Sequence, residues 1–439
     1  MFNPVHIIPS GQSLYKRKRL EGFSEHLVAD TLNYPVFTDL SPVEFCHTNM
    51  ENIKVMGFTL FVFSVGLLHF ISLACGAPLA PALFVFGDSL FDSGNNNLLP
   101  TVSKANFKPY GVDFVRGDTG RFSNGRLVPD FIAEFLGLPY PPPSISIRIS
   151  TPVTGLNYAS ASCGILPETG QFLGKCLSLD DQIDLFQHTV KSSLPKHFKG
   201  RPKEQSEHLS KSIFVVCIGS NDYMSNYLKL NAYDTSKLYS PQAFAQHLLD
   251  KLSAQFRRLH SLGARKVVMY EIGPIGCIPS MTRKKKHSGK CVEESNQLVA
   301  YFNDDLLGML QNLTSTLPNS IFVRGHAHWL GYDAIINPSK YGRVLFSYFH
   351  GWLTGSVIFS AKKRSVVYTG LLDTSNPCCK TWANGTSACI PELKPCPNPN
   401  QHYFFDGYHL TETVYSVLAG ACINDRSVCS PTLRELVQM

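Results

Sequence analysis

The chain has 439 residues, 44% of them apolar and 17% charged, which is enough apolar material for one large core and excludes a disordered protein. Its net charge of +7 is spread along the sequence, and the tight basic cluster Arg283-Lys284-Lys285-Lys286 reads as a solvated loop. Nucleic-acid binding would need a basic face with base-reading or stacking elements, and no such motif occurs.

In chain order, residues 1 to 55 contain Lys16-Arg17-Lys18-Arg19 and no clear periodicity. Residues 56 to 77 follow as an uncharged apolar run ending in small residues, the pattern of a secretory signal peptide. We expect Met56 to be the natural start, residues 1 to 55 to come from a mispredicted upstream exon, and cleavage to fall near Ala77. A retained run would instead be a signal anchor, since its length is about that of a membrane span. Beyond it, residues 78 to 439 read as one domain.

Short apolar runs rich in β-branched and aromatic residues predict strands at 82–87, 213–218, 266–271 and 320–324. Apolar residues at three- and four-residue intervals predict helices over 127–136, 241–262 and 292–313, the second stopped by Gly263. Pro139 to Pro143 read as a rigid extended connector. Another apolar-periodic stretch, 414–421, follows Thr411, a candidate N-cap. Alternation of strands and helices argues for a parallel sheet covered on both faces, a three-layer α/β/α sandwich with the outline of flavodoxin.

Thirteen cysteines agree with export to an oxidising compartment. Cys163 and Cys176 flank one short loop, Cys277 and Cys291 flank the basic loop, and Cys378, Cys379, Cys389 and Cys396 crowd a Pro-rich segment. At least three bridges are expected there. Cys217, inside an apolar strand, reads as a buried free thiol. Zinc is the weaker reading, because adjacent Cys378-Cys379 lacks the usual paired spacing. Asn312-Leu313-Thr314 and Asn384-Gly385-Thr386 are glycosylation sequons. His326-Ala327-His328 with Asp333 could begin a metal site, but no further ligands converge, and surface imidazoles are the simpler reading.

The chemistry lies at the two ends of the domain. Phe86-Gly87-Asp88-Ser89-Leu90 follows a strand, and Asp406 and His409 stand three residues apart in Tyr403-Phe404-Phe405-Asp406-Gly407-Tyr408-His409. A serine hydroxyl needs an imidazole to accept its proton, and the imidazole needs a carboxylate to fix its tautomer and stabilise its charge. Each piece has a plainer reading: Gly-Asp-Ser-Leu as a turn, Asp406 and His409 as helix caps, Asn221 as an Asx turn. No Gly-x-Ser-x-Gly elbow occurs, which disfavours the α/β-hydrolase fold.

Four further blocks decide between these readings. Gly120-Arg121-Phe122-Ser123-Asn124-Gly125-Arg126, Gly155-Leu156-Asn157-Tyr158-Ala159-Ser160-Ala161-Ser162-Cys163-Gly164, Ile218-Gly219-Ser220-Asn221-Asp222-Tyr223 and Gly273-Pro274-Ile275-Gly276-Cys277-Ile278-Pro279 lie between the two ends. In order and spacing the chain resembles the plant GDSL esterase/lipase family, a branch of the SGNH hydrolases, over residues 81–342 and 371–424. The resemblance implies Ser89 as nucleophile, His409 as general base and Asp406 as its orienter. It further implies an oxyanion hole of the Ser89 N–H, the Gly164 N–H and the Asn221 side-chain amide. Ser162 stands where the family often has Gly or Ala, His326 where it often has Asp, and Leu410 where many members have Pro.

Residues 343–370 interrupt the resemblance. They are read as a retained intron translated in frame, with a hydrophobic lid as the alternative. The expected function is a secreted carboxylic-ester hydrolase acting through an acyl-enzyme on a small-molecule or lipid ester. No cofactor, metal or nucleic acid is expected, and no stable membrane partner unless 56–77 is kept as an anchor. An acyltransferase using the same triad, or an inert secreted binding protein, is the alternative.

Overall fold

The computed structural model describes residues 77–147, 151–341 and 370–439. The extension 1–55, the apolar run up to its last residue and the insertion up to residue 369 lie outside the described residues.

Four strands form a parallel sheet in the order β1 (Leu83–Gly87), β2 (Ile213–Cys217), β3 (Lys266–Tyr270) and β4 (Ile321–Gly325). They fall on the four predicted runs to within a residue or two. Register carries Gly87 beside Cys217, Cys217 beside Tyr270 and Tyr270 beside Gly325, so the four C-terminal ends are level. A fifth stretch, unpredicted, lines the free edge of β1. Leu83 and Val85 donate to the carbonyls of Thr154 and Leu156, and Tyr158 donates to that of Val85. With this segment the order becomes that of flavodoxin, in which ligands sit where the connections diverge to opposite sides.

Side chains alternate across the strands, as a period of two requires. Leu83, Val85, Ile213, Val215, Val268 and Val323 point into one core, and Phe84, Phe86, Phe214, Val216, Val267, Met269 and Phe322 into the other. The principal helices are α1 (Val128–Leu136), α2 (Leu179–His188), α3 (Pro202–Lys211), α4 (Pro241–Ser261), α5 (Glu293–Thr316), α6 (Ala327–Ile336) and α7 (Glu412–Asn424). Helices α1, α6 and α7 contribute to the first core, and α2, α4 and α5 to the second. The fold is therefore the expected three-layer α/β/α sandwich. Helix α4 ends beside Gly263, whose φ of +111° marks the predicted stop.

Among the described residues five disulfides form: Cys163–Cys176, Cys277–Cys291, Cys378–Cys396, Cys379–Cys389 and Cys422–Cys429. The last, at the end of α7, was not anticipated. Cys217 is free and buried. Among the described residues no helix is long and apolar enough to cross a membrane.

Thr411 occupies the N-cap position of α7, but its hydroxyl donates to the His402 carbonyl and leaves the helix uncapped. Asn124 takes over from far upstream: its Oδ1 accepts the Glu412 N–H at 2.8 Å, while its Nδ2 donates to Asp113 and Asn400. Asn124→Ala is expected to cost about 1–3 kcal/mol, the range for a lost cap plus buried polar groups left unpaired. Urea unfolding of the disulfide-intact protein measures it, and an unchanged midpoint would show that water replaces the cap.

Candidate active site

Glycine is required at the turn out of β1. Gly87 has a φ of +150°, and a Cβ there would collide with the Cys217 carbonyl oxygen. That close approach lets Asp88 N–H donate to the same oxygen at 3.0 Å, so the chain turns sharply and presents Ser89 at the C-terminal end of the sheet. Gln182 on α2 clamps Gly87 from the other side, accepting its N–H and donating to its carbonyl.

Across the site, Phe405 N–H donates to the His409 carbonyl, closing a tight loop that holds Asp406 and His409. Ser89 Oγ lies 2.8 Å from His409 Nε2, and His409 Nδ1 lies 2.9 and 2.8 Å from the two oxygens of Asp406. The structure thus brings together the three side chains singled out in the sequence. Ser89 and His409 are 9% and 8% exposed, whereas Asp406 is fully buried, so the serine and imidazole border the cavity and the carboxylate stands behind them.

Asp406 is held in place by more than the imidazole. Its Oδ1 accepts N–H groups from Tyr408 and His409 at 2.8 Å each, and its Oδ2 accepts the Tyr110 hydroxyl at 2.5 Å. Burial by itself would raise this carboxyl, but the charge of His409 and these hydrogen bonds outweigh burial and hold it below the usual carboxylate range. The Tyr110 oxygen in turn accepts the Cys389 N–H at 3.2 Å, tying the disulfide-rich loop to the site. Phe122 packs on the imidazole with ring centroids 4.8 Å apart. Tyr110 lies outside every block used in the sequence analysis, and no local pattern marks it.

Asn221 sits in the helical turn Ser220–Asp222 just after β2. One of its amide hydrogens goes to the Cys163 carbonyl at 3.1 Å, which orients the group and leaves the second hydrogen for another acceptor. Gly164 follows Cys163, but its Cα packs on the Asp222 carboxylate, where a side chain would collide. Asp222 binds this loop closely, accepting from Ile165 N–H, Leu166 N–H and the Thr169 hydroxyl. Ser162, at a φ of 69°, lines the cavity, whereas Gly164 is not among the described residues that do.

The other residues of the first blocks form a polar frame beneath the serine. Asp92 accepts N–H groups from Gly94, Asn95 and Ala161, and Asn95 donates to the carbonyls of Asn157 and Ala159. Asn96 donates to Ser103 and Ala161 and accepts from the Ser160 hydroxyl at 2.6 Å, and Asn157 donates to the Phe91 carbonyl. The loop after β1 is thereby fastened to the loop after the edge segment.

A cavity of about 650 Å³ opens over Ser89 and His409. Val102, Phe172, Leu173, Met224, Ile278 and Met281 supply much of its apolar wall. The basic run is exposed, as expected of a solvated loop, and two of its members, Lys284 and Lys285, also line the cavity. His326 Nε2 is 3.8 Å from Glu271, and the His328 ring stacks over Tyr332. Among the described residues, no group of three or more ligating side chains could hold a metal ion.

A protein-family model described as GDSL-like Lipase/Acylhydrolase matches residues 83–421. The chain belongs to this family. GDSL esterase/lipase 7 of Arabidopsis thaliana is 42% identical over 348 residues, covering 78% of this chain and 87% of that protein. Two further GDSL esterase/lipases of Arabidopsis thaliana are 38% and 37% identical, covering 82% and 85% of this chain and 86% and 94% of their own lengths. As a GDSL lipase/acylhydrolase, the protein is a hydrolase of carboxylic esters.

Several buried carboxyls of this GDSL hydrolase titrate high. Burial raises Asp88 to about 7 and Glu271 to about 7, and it raises Asp92 and Asp222 to about 6 each. A raised carboxyl binds its proton more tightly in the folded state, so its contribution is complete below 3.8 and is lost as pH rises toward 7. His208, His326 and His328, lowered chiefly by burial, act in the opposite direction, so one group must be isolated. The Tm of the wild type relative to Asp88→Asn should fall by a few degrees, roughly, between pH 5 and 8. A pH-independent difference would mean that Asp88 is ionised throughout.

Proposed function

We infer that Ser89, His409 and Asp406 form a catalytic triad and that the reaction proceeds through an acyl-enzyme. The observation that carries this reading is the position of His409, with Nε2 at 2.8 Å from the Ser89 hydroxyl and Nδ1 at 2.8 Å from Asp406. His409 accepts the Ser89 proton as Oγ attacks the ester carbonyl, then passes it to the departing alcohol. Water repeats the sequence at the acyl-enzyme and releases the acid. Asp406 keeps the imidazole in the required tautomer and stabilises its charged form.

The developing oxyanion is received by the Ser89 N–H, the unused amide hydrogen of Asn221 and a backbone N–H of the 162–164 turn. Gly164 was expected to supply the last of these. Ser162 is favoured because it lines the cavity while Gly164 packs on Asp222. The apolar wall and a volume of about 650 Å³ suit an ester with an aliphatic chain.

Secretion belongs to the same reading. The uncharged run 56–77, five disulfides and exposed Asn312 and Asn384 in both sequons support it. Protein recovered from culture medium with an N-terminus near Ala77 would agree with it, whereas full-length protein retained in membranes would favour the anchor.

Hydrolysis of p-nitrophenyl butyrate and laurate tests the chemistry. Ser89→Ala should lower kcat by about 10⁴-fold or more, and Asn221→Ala by about 10²–10³-fold with little change in KM. Full activity in folded Ser89→Ala would overturn the triad, and no ester turnover by folded wild type would favour a binding role.

A further inference from the structure

The outer end of the cavity differs in chemistry from its wall. Lys104, Lys229, Lys284 and Lys285 all line it, brought there from three separate stretches of chain. Their contacts are neutral: Lys104 donates to the Asn97 carbonyl, Lys284 to the Ser280 hydroxyl and Lys285 to the Ser295 hydroxyl, while Lys229 lies 5.2 Å from the centre of the Phe172 ring. Among the described residues, none of the four forms an ion pair.

The carboxylates among the described lining residues are Asp88 and Glu271, both buried. Glu271 is already paired with Arg324 at 3.3 Å. Lys229 and Lys284 line the same cavity, where burial and then the charge of Lys229 lower the Lys284 ammonium. Four ammonium groups that line one cavity and form no ion pair among the described residues repel one another, and an anion bound there would relieve that repulsion. Beside them Val102 is 78% and Phe172 44% exposed, so the same rim offers apolar surface. Cationic and apolar groups on one rim suit an amphiphile better than a small inorganic anion.

From this we propose that the lysines form a headgroup subsite and that the preferred substrates are esters of single-chain amphiphiles carrying a phosphate or carboxylate. The proposal rests on the ester-hydrolase reading of the adjoining Ser89 and adds to it the charge of the substrate.

Two substrates that share an acyl chain and an ester bond and differ only by a phosphate test it: 1-lauroylglycerol 3-phosphate and 1-lauroylglycerol. The ratio of their kcat/KM values should favour the phosphate by about tenfold or more at low salt and shrink as ionic strength rises. The double variant Lys229→Glu, Lys284→Glu should abolish or invert that ratio, whereas Lys203→Glu, on α3, should leave it unchanged. Equal kcat/KM values in the wild type, or a preference that survives the double variant, would overturn the proposal.

Calorimetric binding of dodecyl phosphate to Ser89→Ala separates this subsite from the chemistry. Binding lost in the added double variant supports the headgroup site even if no ester is turned over, a result that would sink only the hydrolase reading. Inorganic phosphate binding as tightly as dodecyl phosphate would overturn the amphiphile.

Discussion

The hydrogen bond between Ser89 and His409 joins residues 320 positions apart, and much of the architecture around it keeps those two atoms at 2.8 Å. One side is rigid by construction, because Ser89 leaves a fully buried strand through a glycine turn clamped by Gln182. The other side is a short loop whose stability depends on Asp406. A buried carboxylate costs several kcal/mol unless its lone pairs are filled. Here two backbone N–H groups, an imidazole and the Tyr110 phenol fill them. Taking away any one of these partners would loosen the imidazole as well as the carboxylate, since the same oxygens hold both the loop backbone and the ring.

Loops at the C-terminal ends of parallel strands have no ladder to satisfy their peptide groups, which must find side-chain partners if they are buried. This gives a physical account of why Asp, Asn and Ser crowd the first blocks. Asp92, Asn95, Asn96, Asn157 and Ser160 are all essentially inaccessible to solvent, and their hydrogen bonds run chiefly to backbone N–H and C=O groups of neighbouring loops. Arg121 does the same work at longer range. It makes a bidentate pair with Asp130 at the start of α1, and Phe122 next to it packs on His409. Most of the motif residues are thus supports, and only a few face the cavity.

This division explains what could be read from the sequence. The four strands of the sheet were legible because burial on both faces demands apolar runs, unbroken in β1 and β2 and interrupted in the edge strand β4 only by Arg324. The segment 154–158 was not, since its pairing is broken into isolated bridges, to Val85 on one side and Pro143 on the other, and it carries Gly155 and Asn157, residues that signal a turn. Ser89, Asp406, His409 and Asn221 were legible because each sits in a local pattern with a chemical meaning. Tyr110, the capping role of Asn124 and the lysine rim were not. Each acquires its meaning from a partner brought in by the fold: Tyr110 from a carboxylate 296 residues away, Asn124 from an N–H 288 residues away, and the basic run from the cavity it lines together with Lys104 and Lys229. The Cys422–Cys429 bridge has no local signature either, because its two cysteines stand apart from the crowded ones upstream.

Electrostatics then link the proposed reaction to its setting. Asp88 is the residue immediately before the nucleophile, and a negative charge there would oppose the oxyanion forming at Ser89. Burial keeps its carboxyl protonated up to about pH 7, with one oxygen accepting the Leu90 N–H. Asp406, by contrast, is ionised at the same pH, because the imidazole and three further hydrogen bonds compensate its charge. Below about pH 7, two buried acids near one serine are thus held in opposite protonation states by their surroundings. The charged one stands behind the imidazole, where it stabilises the positive charge that develops there. The neutral one adjoins the nucleophile, where a charge would have raised the barrier. Four lysines line the same cavity, so under the proposed headgroup reading an anionic substrate would meet a site whose adjoining carboxyl is neutral below about pH 7. The same burial that gives the sandwich its core therefore keeps the carboxyl beside Ser89 neutral below about pH 7.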